Sequence, residues 1–382
     1  MQTAIIRKIF IVMRFGIRLQ HLRRGTILKR LLIIGTGGTI AGVAPAPGNT
    51  VGYRAGDLPI DQILDTVPTL SALGQLQAKQ FFSMASERLT SEHWLFLAHR
   101  LRETLHGDSP PDAIVLTHGS DTLEETAFFL SLTLPASLPV VLTGAMRPAT
   151  ALNADGPGNL FNACRFGLAA HETGIGGTFV CFNEHVFRAD QVMKVHANQS
   201  DAFKPRFGRP VGWLENGAPH WARLPPGRLA DVFAQLPLPE PARLHADGSI
   251  EAPPTGVRLP KVALIQQHVD CDEALVDWHL SRGCQGLVLA GTGIGTMPVP
   301  MRAALARARQ RGCLIVRSSR IPAGHVGRNT EADPADSDEA LSFITTGWLD
   351  PLKARILLQL GLHAGIQDPI EFQALFDRSR PD

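Results

Sequence analysis

Residues 31–42 read LLIIGTGGTIAG, a short apolar run that leads directly into a glycine-rich turn. Leu31–Gly35 has the length and composition of a buried strand, so the stretch predicts a strand followed by a tight turn. A dinucleotide-binding turn would need a small residue where Ile40 stands, and the spacing therefore disfavours a nucleotide site. Thr36 and Thr39 instead place two hydroxyl groups in the loop, which the turn itself does not require.

The same alternation of strands and helices continues along the chain. In the first half, the predicted strands are Leu31–Gly35, Ala113–Thr117, Pro139–Thr143 and Thr178–Phe182, and the predicted helices are Ser91–Leu105, Asp121–Leu130 and Asn159–His171. After residue 259, the alternating segments are Val262–Gln266, Leu275–Ser281, Gly286–Leu289, Met301–Gln310, Cys313–Ser318 and Lys353–Leu360. The pattern predicts an α/β fold of two α/β domains, with a larger mixed-sheet domain first and a smaller parallel-sheet domain second.

Composition sets the limits of these domains. Residues 1–29 are expected to be a basic extension outside the fold, because residues 1–30 hold eight Lys and Arg and no acid occurs before Asp57. The N-terminal domain is predicted over residues 30–220 and the C-terminal domain over residues 260–382. Residues 221–259 are predicted to be a linker, since the stretch contains LPLPEPA at 236–242 and shows no periodicity.

The overall composition excludes several classes of function. Beyond residue 30, the chain carries 29 Lys and Arg against 35 Asp and Glu, which argues against a nucleic-acid partner. The five cysteines form no CxxC pair, so we expect a reducing, cytoplasmic location. The apolar runs are too short for a membrane span, and no metal site is predicted from the spacing of His, Asp and Glu.

A second motif, THGSDTLEE at residues 117–125, also follows a predicted strand. Thr122 and Glu125 have capping-box spacing before an apolar helical run. Ser120 and Asp121 then lie at a helix N-terminus, where backbone N–H groups favour an anion or a developing oxyanion. His118 is interpreted as a hydrogen-bonded loop histidine.

Three weaker features accompany these loops. The stretch VLTGAMRPATALNADGPGN at 141–159 is a long loop specified in detail, and Lys194 is a lysine in a polar segment. Tyr53 is the only tyrosine in the chain and lies in the glycine-containing stretch VGYRAG at 51–56.

These loops resemble the bacterial-type L-asparaginase/glutaminase family. GTGGTIAG (35–42) and THGSDTLEET (117–126) are similar to the two signature segments of that family, and GAMRPATALNADGPGNL (144–160) to the stretch that follows them. The resemblance continues through SMASERLT (83–90), Lys194 with DAF (201–203), LAGTGIG (289–295), VRSSRIPAG (316–324) and KARILLQL (353–360).

The resemblance implies roles for ten residues. The catalytic ones are Thr39 as the nucleophile, Tyr53, Ser120, Asp121, Lys194 and Glu331. The substrate-binding ones are Ser86, Glu87, Ala145 through its main chain, and Thr296. In the family, the residues that match Glu331 and Thr296 come from a neighbouring subunit, which implies a homotetramer with active sites at its interfaces. Ser120 departs from the usual threonine of the family, which keeps the hydroxyl but loses the methyl that restricts χ1.

The expected reaction is hydrolysis of L-asparagine to L-aspartate and ammonia through an acyl-enzyme, with glutaminase side activity and no cofactor. Which group acts as the general base stays open, because Tyr53 and Lys194 both need shifted pKa values to serve. Two alternatives remain. One is the amidase subunit of a tRNA-dependent amidotransferase, which carries a sizeable extra N-terminal domain. The other is a non-catalytic amino-acid-binding protein on the same fold.

Overall fold

A computed structural model of the chain describes residues 29–46, 48–222, 229–251 and 257–380. The predicted basic extension therefore lies outside the described residues, except for Lys29. The strands are β1 (Arg30–Gly37), β2 (Gln75–Met84), β3 (Ala113–Thr117), β4 (Pro139–Thr143), β5 (Gly177–Phe182), β6 (His185–Arg188), β7 (Val192–Lys194), β8 (Phe203–Pro205), β9 (Gly212–Glu215), β10 (Ala218–Trp221), β11 (Arg243–Leu244), β12 (Ile250–Glu251), β13 (Val262–Gln266), β14 (Gly286–Gly291), β15 (Leu314–Ser319) and β16 (Ile344–Thr345). The helices are α1 (Ile60–Asp65), α2 (Ser91–Leu105), α3 (Leu123–Thr133), α4 (Gly156–Glu172), α5 (Ala274–Ser281), α6 (Val299–Gln310), α7 (Pro351–His363) and α8 (Pro369–Asp377). Short 3₁₀ turns lie at Thr39–Ala41, Pro68–Leu73, Ser86–Arg88 and Pro334–Asp336.

Two sheets organise the molecule, as predicted. The larger sheet has the strand order β10-β9-β6-β5-β4-β3-β1-β2, and its strands from β5 to β2 are parallel, whereas β6, β9 and β10 pair antiparallel. The smaller sheet, β13-β14-β15-β16, is parallel throughout. The prediction of a mixed-sheet domain followed by a smaller parallel-sheet domain is thus confirmed.

The core explains why the strands read as continuous apolar runs. In β1, Leu32 and Ile34 join one hydrophobic cluster while Leu31 and Ile33 join another, because helices cover both faces of the sheet. The first cluster continues through α3 into α7, so both domains share buried side chains. Parallel strands end at a common edge, and the loops after β1, β3 and β4 therefore lie side by side there.

The segment predicted as a linker packs closely on α2 over its described residues. The guanidinium of Arg102 donates to the carbonyls of Leu236 and Phe233 at 2.9 and 3.0 Å. The imidazole of His93 lies 2.9 Å from the carbonyl of Gly248. The only regular structure wholly within its described residues is the short antiparallel pair β11 and β12, and these three carbonyls accept from side chains of the N-terminal domain. The exact domain limits stay a prediction.

Candidate active site

The threonine loop begins where β1 ends. Gly38 has φ of +83°, and its N–H donates to the carbonyl of Met84 at 2.9 Å. A Cβ on Gly38 would lie 2.4 Å from the backbone of Gly119. Only glycine therefore lets the loop after β1 touch the loop after β3. Thr39 follows as the first residue of a 3₁₀ turn.

The two threonine hydroxyls of this loop have different partners. Thr36 is buried, and its hydroxyl donates to the carbonyl of Thr117 at 2.7 Å, which ties β1 to β3. The hydroxyl of Thr39 instead lies 2.7 Å from the phenol of Tyr53. Thr39 is 7% exposed, so its hydroxyl group is both fixed and reachable from the cleft.

A short antiparallel bridge brings Tyr53 to this position. The N–H of Val43 donates to the carbonyl of Arg54 at 3.0 Å, and the N–H of Arg54 donates back at 3.1 Å. The ring of Tyr53 packs on Gly42, where an added Cβ would be 2.8 Å from the ring. The chain between Thr39 and Tyr53 therefore folds back as a loop that pairs the two hydroxyls.

A second polar group lies at the end of β3. The ammonium of Lys194 donates to the Ser120 hydroxyl at 2.8 Å and to the Asp121 carboxylate at 2.5 Å. Ser120 is buried, while the side chain of Asp121 is 61% exposed. Lys194 comes from β7, more than 70 residues along the chain from its two partners. The structure thus brings together Ser120, Asp121 and Lys194, which the resemblance grouped.

The predicted capping box is wrong. The Thr122 hydroxyl does not cap α3 but donates to the carbonyl of Ser86 at 3.0 Å, and Glu125 pairs with Arg355 at 3.1 Å. Thr122 thereby fixes the Ser86 turn beside the loop after β3. An added Cβ on Gly119 would lie 2.6 Å from the Ser86 side chain, so these loops are also in direct contact.

A cleft of about 230 Å³ opens where these loops meet. Its lining residues are Gly38, Thr39, Tyr53, Ala55, Ala85, Ser86, Glu87, Gly119, Ser120 and Asp121. The cleft is therefore polar and is lined by six of the predicted site residues. Glu87 is exposed at its rim.

Ala145 is not among the residues that line the cleft. It is fully buried in the loop after β4. The carboxylate of Asp155 accepts from the N–H groups of Met146 and Arg147 at 2.9 and 3.0 Å, and the amide of Asn159 donates to the carbonyl of Gly144 at 3.0 Å. The long loop is thus held by two residues near the start of α4, which sequence reasoning did not single out.

Thr296 and Glu331 lie in the C-terminal domain and do not line this cleft. The carboxylate of Glu331 pairs with the guanidinium of Arg302 at 2.8 Å. The hydroxyl of Thr296 donates to the carbonyl of Thr292 at 3.0 Å, and the residue is exposed. Within one chain, both residues therefore have local partners and stay apart from the other predicted residues.

His118 is a buried loop histidine, as predicted. Its Nδ1 lies 2.8 Å from the carbonyl of Gly119, and burial lowers its pKa to about 4. The imidazole is therefore neutral at physiological pH, and its Nδ1–H supports the backbone of the loop that carries Ser120.

Sequence reasoning missed two charged residues beneath the site. Glu124, in the first turn of α3, accepts from the N–H of Lys194 at 3.0 Å. Lys353, in α7, is fully buried and donates to the carbonyl of Val192 at 2.7 Å. The only sequence signal was the lysine at the start of KARILLQL, in an otherwise apolar helix.

Within the described residues, no three His, Cys, Asp or Glu side chains are grouped so as to hold a metal ion. No helix in the described ranges combines the length and apolar character that a membrane span requires.

Comparisons with known proteins place these observations in a family. The N-terminal asparaginase domain matches residues 30–226, and the glutaminase/asparaginase C-terminal domain matches residues 261–376. A probable periplasmic L-asparaginase of Haemophilus influenzae is 34% identical over 92% of this chain and 93% of its own length. A glutaminase-asparaginase of Pseudomonas fluorescens biotype A is 34% identical over 92% of this chain and 91% of its own.

A solved structure agrees with both matches. The structure of a probable cytoplasmic L-asparaginase from Campylobacter jejuni superimposes with a TM-score of 0.78 at 32% identity, covering 92% of this chain and 99% of that one. The matched domains and these relatives together show that the chain belongs to the asparaginase family of amidohydrolases.

Proposed function

We propose that the chain hydrolyses L-asparagine to L-aspartate and ammonia, with Thr39 as the nucleophile. The observation that carries this proposal is the 2.7 Å contact between the Thr39 and Tyr53 hydroxyls inside a polar cleft. A threonine hydroxyl is a weak nucleophile unless a neighbour takes its proton, and the phenol is the group in contact with it. Relatives named L-asparaginase and glutaminase-asparaginase support the substrate class.

The proposed reaction has two steps. The oxygen of Thr39 attacks the side-chain amide carbon of the substrate, the C–N bond breaks, and ammonia leaves with the proton that the hydroxyl has given up. Water then attacks the resulting ester, which releases aspartate and restores the Thr39 hydroxyl. The cluster of Ser120, Asp121 and Lys194 lines or adjoins the same cleft and offers a hydroxyl, a carboxylate and an ammonium for proton transfer and charge stabilisation.

We assign substrate binding to Ser86 and Glu87, with the Ala145 loop as a main-chain contact. The exposed Glu87 carboxylate at the cleft rim accepts from the substrate α-ammonium group. Such a contact holds the amino acid without measuring its side chain, so glutamine is a slower second substrate. One methylene is worth only about 1–3 kcal/mol of discrimination in a pocket.

We also propose a homotetramer in which Thr296 and Glu331 of one chain complete the cleft of its neighbour. Neither residue lines the cleft of its own chain, and the Glu331 carboxylate is held in place by Arg302. Ile294 and Val299, on either side of Thr296 in the sequence, are 51% and 70% exposed. Burial of these two side chains against a neighbouring chain would remove apolar surface from water. The five unpaired thiols support a cytoplasmic location, which cell fractionation tests.

The deciding experiment is an assay of ammonia release from L-asparagine and L-glutamine. The wild-type chain is expected to turn over asparagine faster, and Thr39→Ala to abolish turnover while its thermal midpoint is unchanged. Thr66→Ala is the matched control, because its hydroxyl bonds only to the carbonyl of Ile63 at 2.6 Å. Mass spectrometry after rapid quenching is expected to detect an aspartyl ester on Thr39. If the wild-type chain releases ammonia from neither amide, an amidotransferase subunit or an amino-acid-binding protein becomes the better interpretation.

A further inference from the structure

A buried cluster of charges lies beneath the strand that carries Lys194, and the proposed reaction does not use it. Lys353, from α7, is fully buried. Its ammonium donates to the Asp350 carboxylate and to the carbonyl of Val192, both at 2.7 Å. Val192 begins β7, the strand that ends at Lys194. An ammonium of the C-terminal domain therefore holds the backbone of the site strand.

Glu124 provides a second link to the same strand. Its Oε2 accepts from the N–H of Lys194 at 3.0 Å and lies 3.8 Å from the Lys353 ammonium. Glu124 is 7% exposed, so this carboxylate has little access to water. Lys353 thus acts on both ends of β7: directly at Val192, and through Glu124 at Lys194.

Electrostatics keep the ammonium charged in this position. Burial lowers the pKa of Lys353, but the carboxylates of Asp350 and Glu124 outweigh it, and the net shift is upward. Burial raises the pKa of Glu124 to about 7, against the opposing effect of Lys353. The cation is therefore the fixed charge of the cluster.

A neighbouring ion pair provides the contrast. Arg355, two residues further along α7, pairs with Glu125 of α3 at 3.1 Å. This pair joins the same two helices, and Glu125 follows Glu124 directly in the sequence. Among the hydrogen bonds and ion pairs of the described residues, neither Arg355 nor Glu125 has a partner in β7. The two pairs therefore differ in whether they reach the strand that bears Lys194.

We propose that Lys353 is a positioning residue, which fixes β7 so that the Lys194 ammonium meets Ser120 and Asp121. The inference rests on the proposed function, because it assigns to Lys353 a part in the turnover that Lys194 supports. Lys353 does not touch the cleft itself, and its effect passes through the backbone of Val192 and Lys194.

A double-mutant cycle tests this inference. Lys353→Met is expected to lower kcat for asparagine about 10- to 100-fold, since a displacement near 1 Å in a site costs up to about 100-fold. KM is expected to change far less. In a Lys194→Met background, the same substitution is expected to lower kcat by less than about twofold, the scatter that additive sites show. Equal losses of kcat in both backgrounds would mean that Lys353 only stabilises the fold, and would overturn the inference.

Two further variants separate positioning from folding. Arg355→Met breaks the neighbouring pair, and kcat is expected to stay within about twofold of wild type. Lys353→Met could fail to fold, because the carboxylates of Asp350 and Glu124 would lose their cation. In that case Lys353→Met is combined with Glu124→Gln, which removes one of the two negative charges and keeps an acceptor for the N–H of Lys194. A kcat of this double variant equal to that of Glu124→Gln alone would overturn the inference.

One measurement is independent of turnover. A crystal structure of Lys353→Met is expected to show the Lys194 ammonium beyond hydrogen-bond distance of the Ser120 hydroxyl. An unmoved ammonium would refute positioning, even if the wild-type chain hydrolyses asparagine. Conversely, a wild-type chain that releases no ammonia would refute the proposed function, whereas the position of the Lys194 ammonium in the crystal structure would still decide whether Lys353 positions it.

Discussion

Gly119 lies where three loops of the cleft meet, and its replacement by alanine tests how closely these loops must pack. Its φ is not positive, so alanine strains no backbone angle there and acts through its volume alone. The added Cβ would lie 2.6 Å from the Ser86 side chain, whereas ordinary contacts begin near 3.4 Å. Ser86 would therefore have to retreat by about 0.8 Å, although Thr122 holds its carbonyl.

The expected effect of Gly119→Ala follows from this displacement. A shift near 1 Å in a catalytic site costs up to about 100-fold, so kcat/KM for asparagine is expected to fall about 10- to 100-fold. Overpacking of a buried site lowers the free energy of unfolding by about 1–3 kcal/mol. Ammonia release and thermal unfolding measure the two effects on the same preparation.

Gly158→Ala is the matched control. Gly158 lies in the first turn of α4, and its added Cβ would meet no atom within 4 Å. Alanine there is expected to leave activity unchanged and to raise the free energy of unfolding by about 0.4–1 kcal/mol. A Gly119→Ala enzyme with wild-type kcat/KM would refute the argument that the contact of the three loops sets the geometry of the cleft.

Three other predictions concern pH, specificity and assembly. Burial lowers the pKa of His118 from 6.5 to about 4, so between these pH values the unfolded state binds a proton that the folded state does not. The free energy of unfolding of the wild-type chain should therefore fall by about 3 kcal/mol as the pH drops from 6.5 to about 4. His118→Asn, which keeps a donor for the Gly119 carbonyl, should lack that loss in denaturant titrations at a series of pH values. Glu87→Gln is expected to change the ratio of kcat/KM for asparagine to that for glutamine, and an unchanged ratio would place Glu87 outside the substrate contacts. If sites are shared between subunits, Thr39→Ala and Glu331→Gln are each inactive alone but regain ammonia release when refolded together, whereas sites formed within one chain would regain none.

The strands of the fold were predictable because local sequence determines them. Ala113–Thr117 and Pro139–Thr143 have the predicted bounds, since a strand buried on both faces must be apolar throughout and ends where polar loop residues begin. The helix after the second motif begins at Leu123 rather than Asp121. Asp121 stays in the loop because its carboxylate and the Ser120 hydroxyl both accept from the Lys194 ammonium.

The contacts between loops were less predictable, because they depend on distant partners. Spacing alone could not distinguish Thr36 from Thr39, although one hydroxyl is taken up by a neighbouring strand and the other meets Tyr53. Composition drew attention to Tyr53 as the only tyrosine, whereas Lys194 was singled out only by the resemblance to a family. Neither approach found Lys353, whose partner Val192 lies 161 residues earlier in the chain.

The predicted site divides unequally between the two domains, and this division bears on how the enzyme is built. The Thr39 and Tyr53 pair and the Ser120 and Lys194 pair both form within one chain, on loops of the N-terminal domain. Glu331 is held by Arg302 instead, on a side chain that is 11% exposed. A carboxylate fixed in this way is already ordered within its own chain, so the proposed association would cost little conformational entropy at that residue. If the proposed tetramer forms, the Thr39 cleft and the Glu331 carboxylate are therefore each ordered beforehand, and association would only have to bring them together.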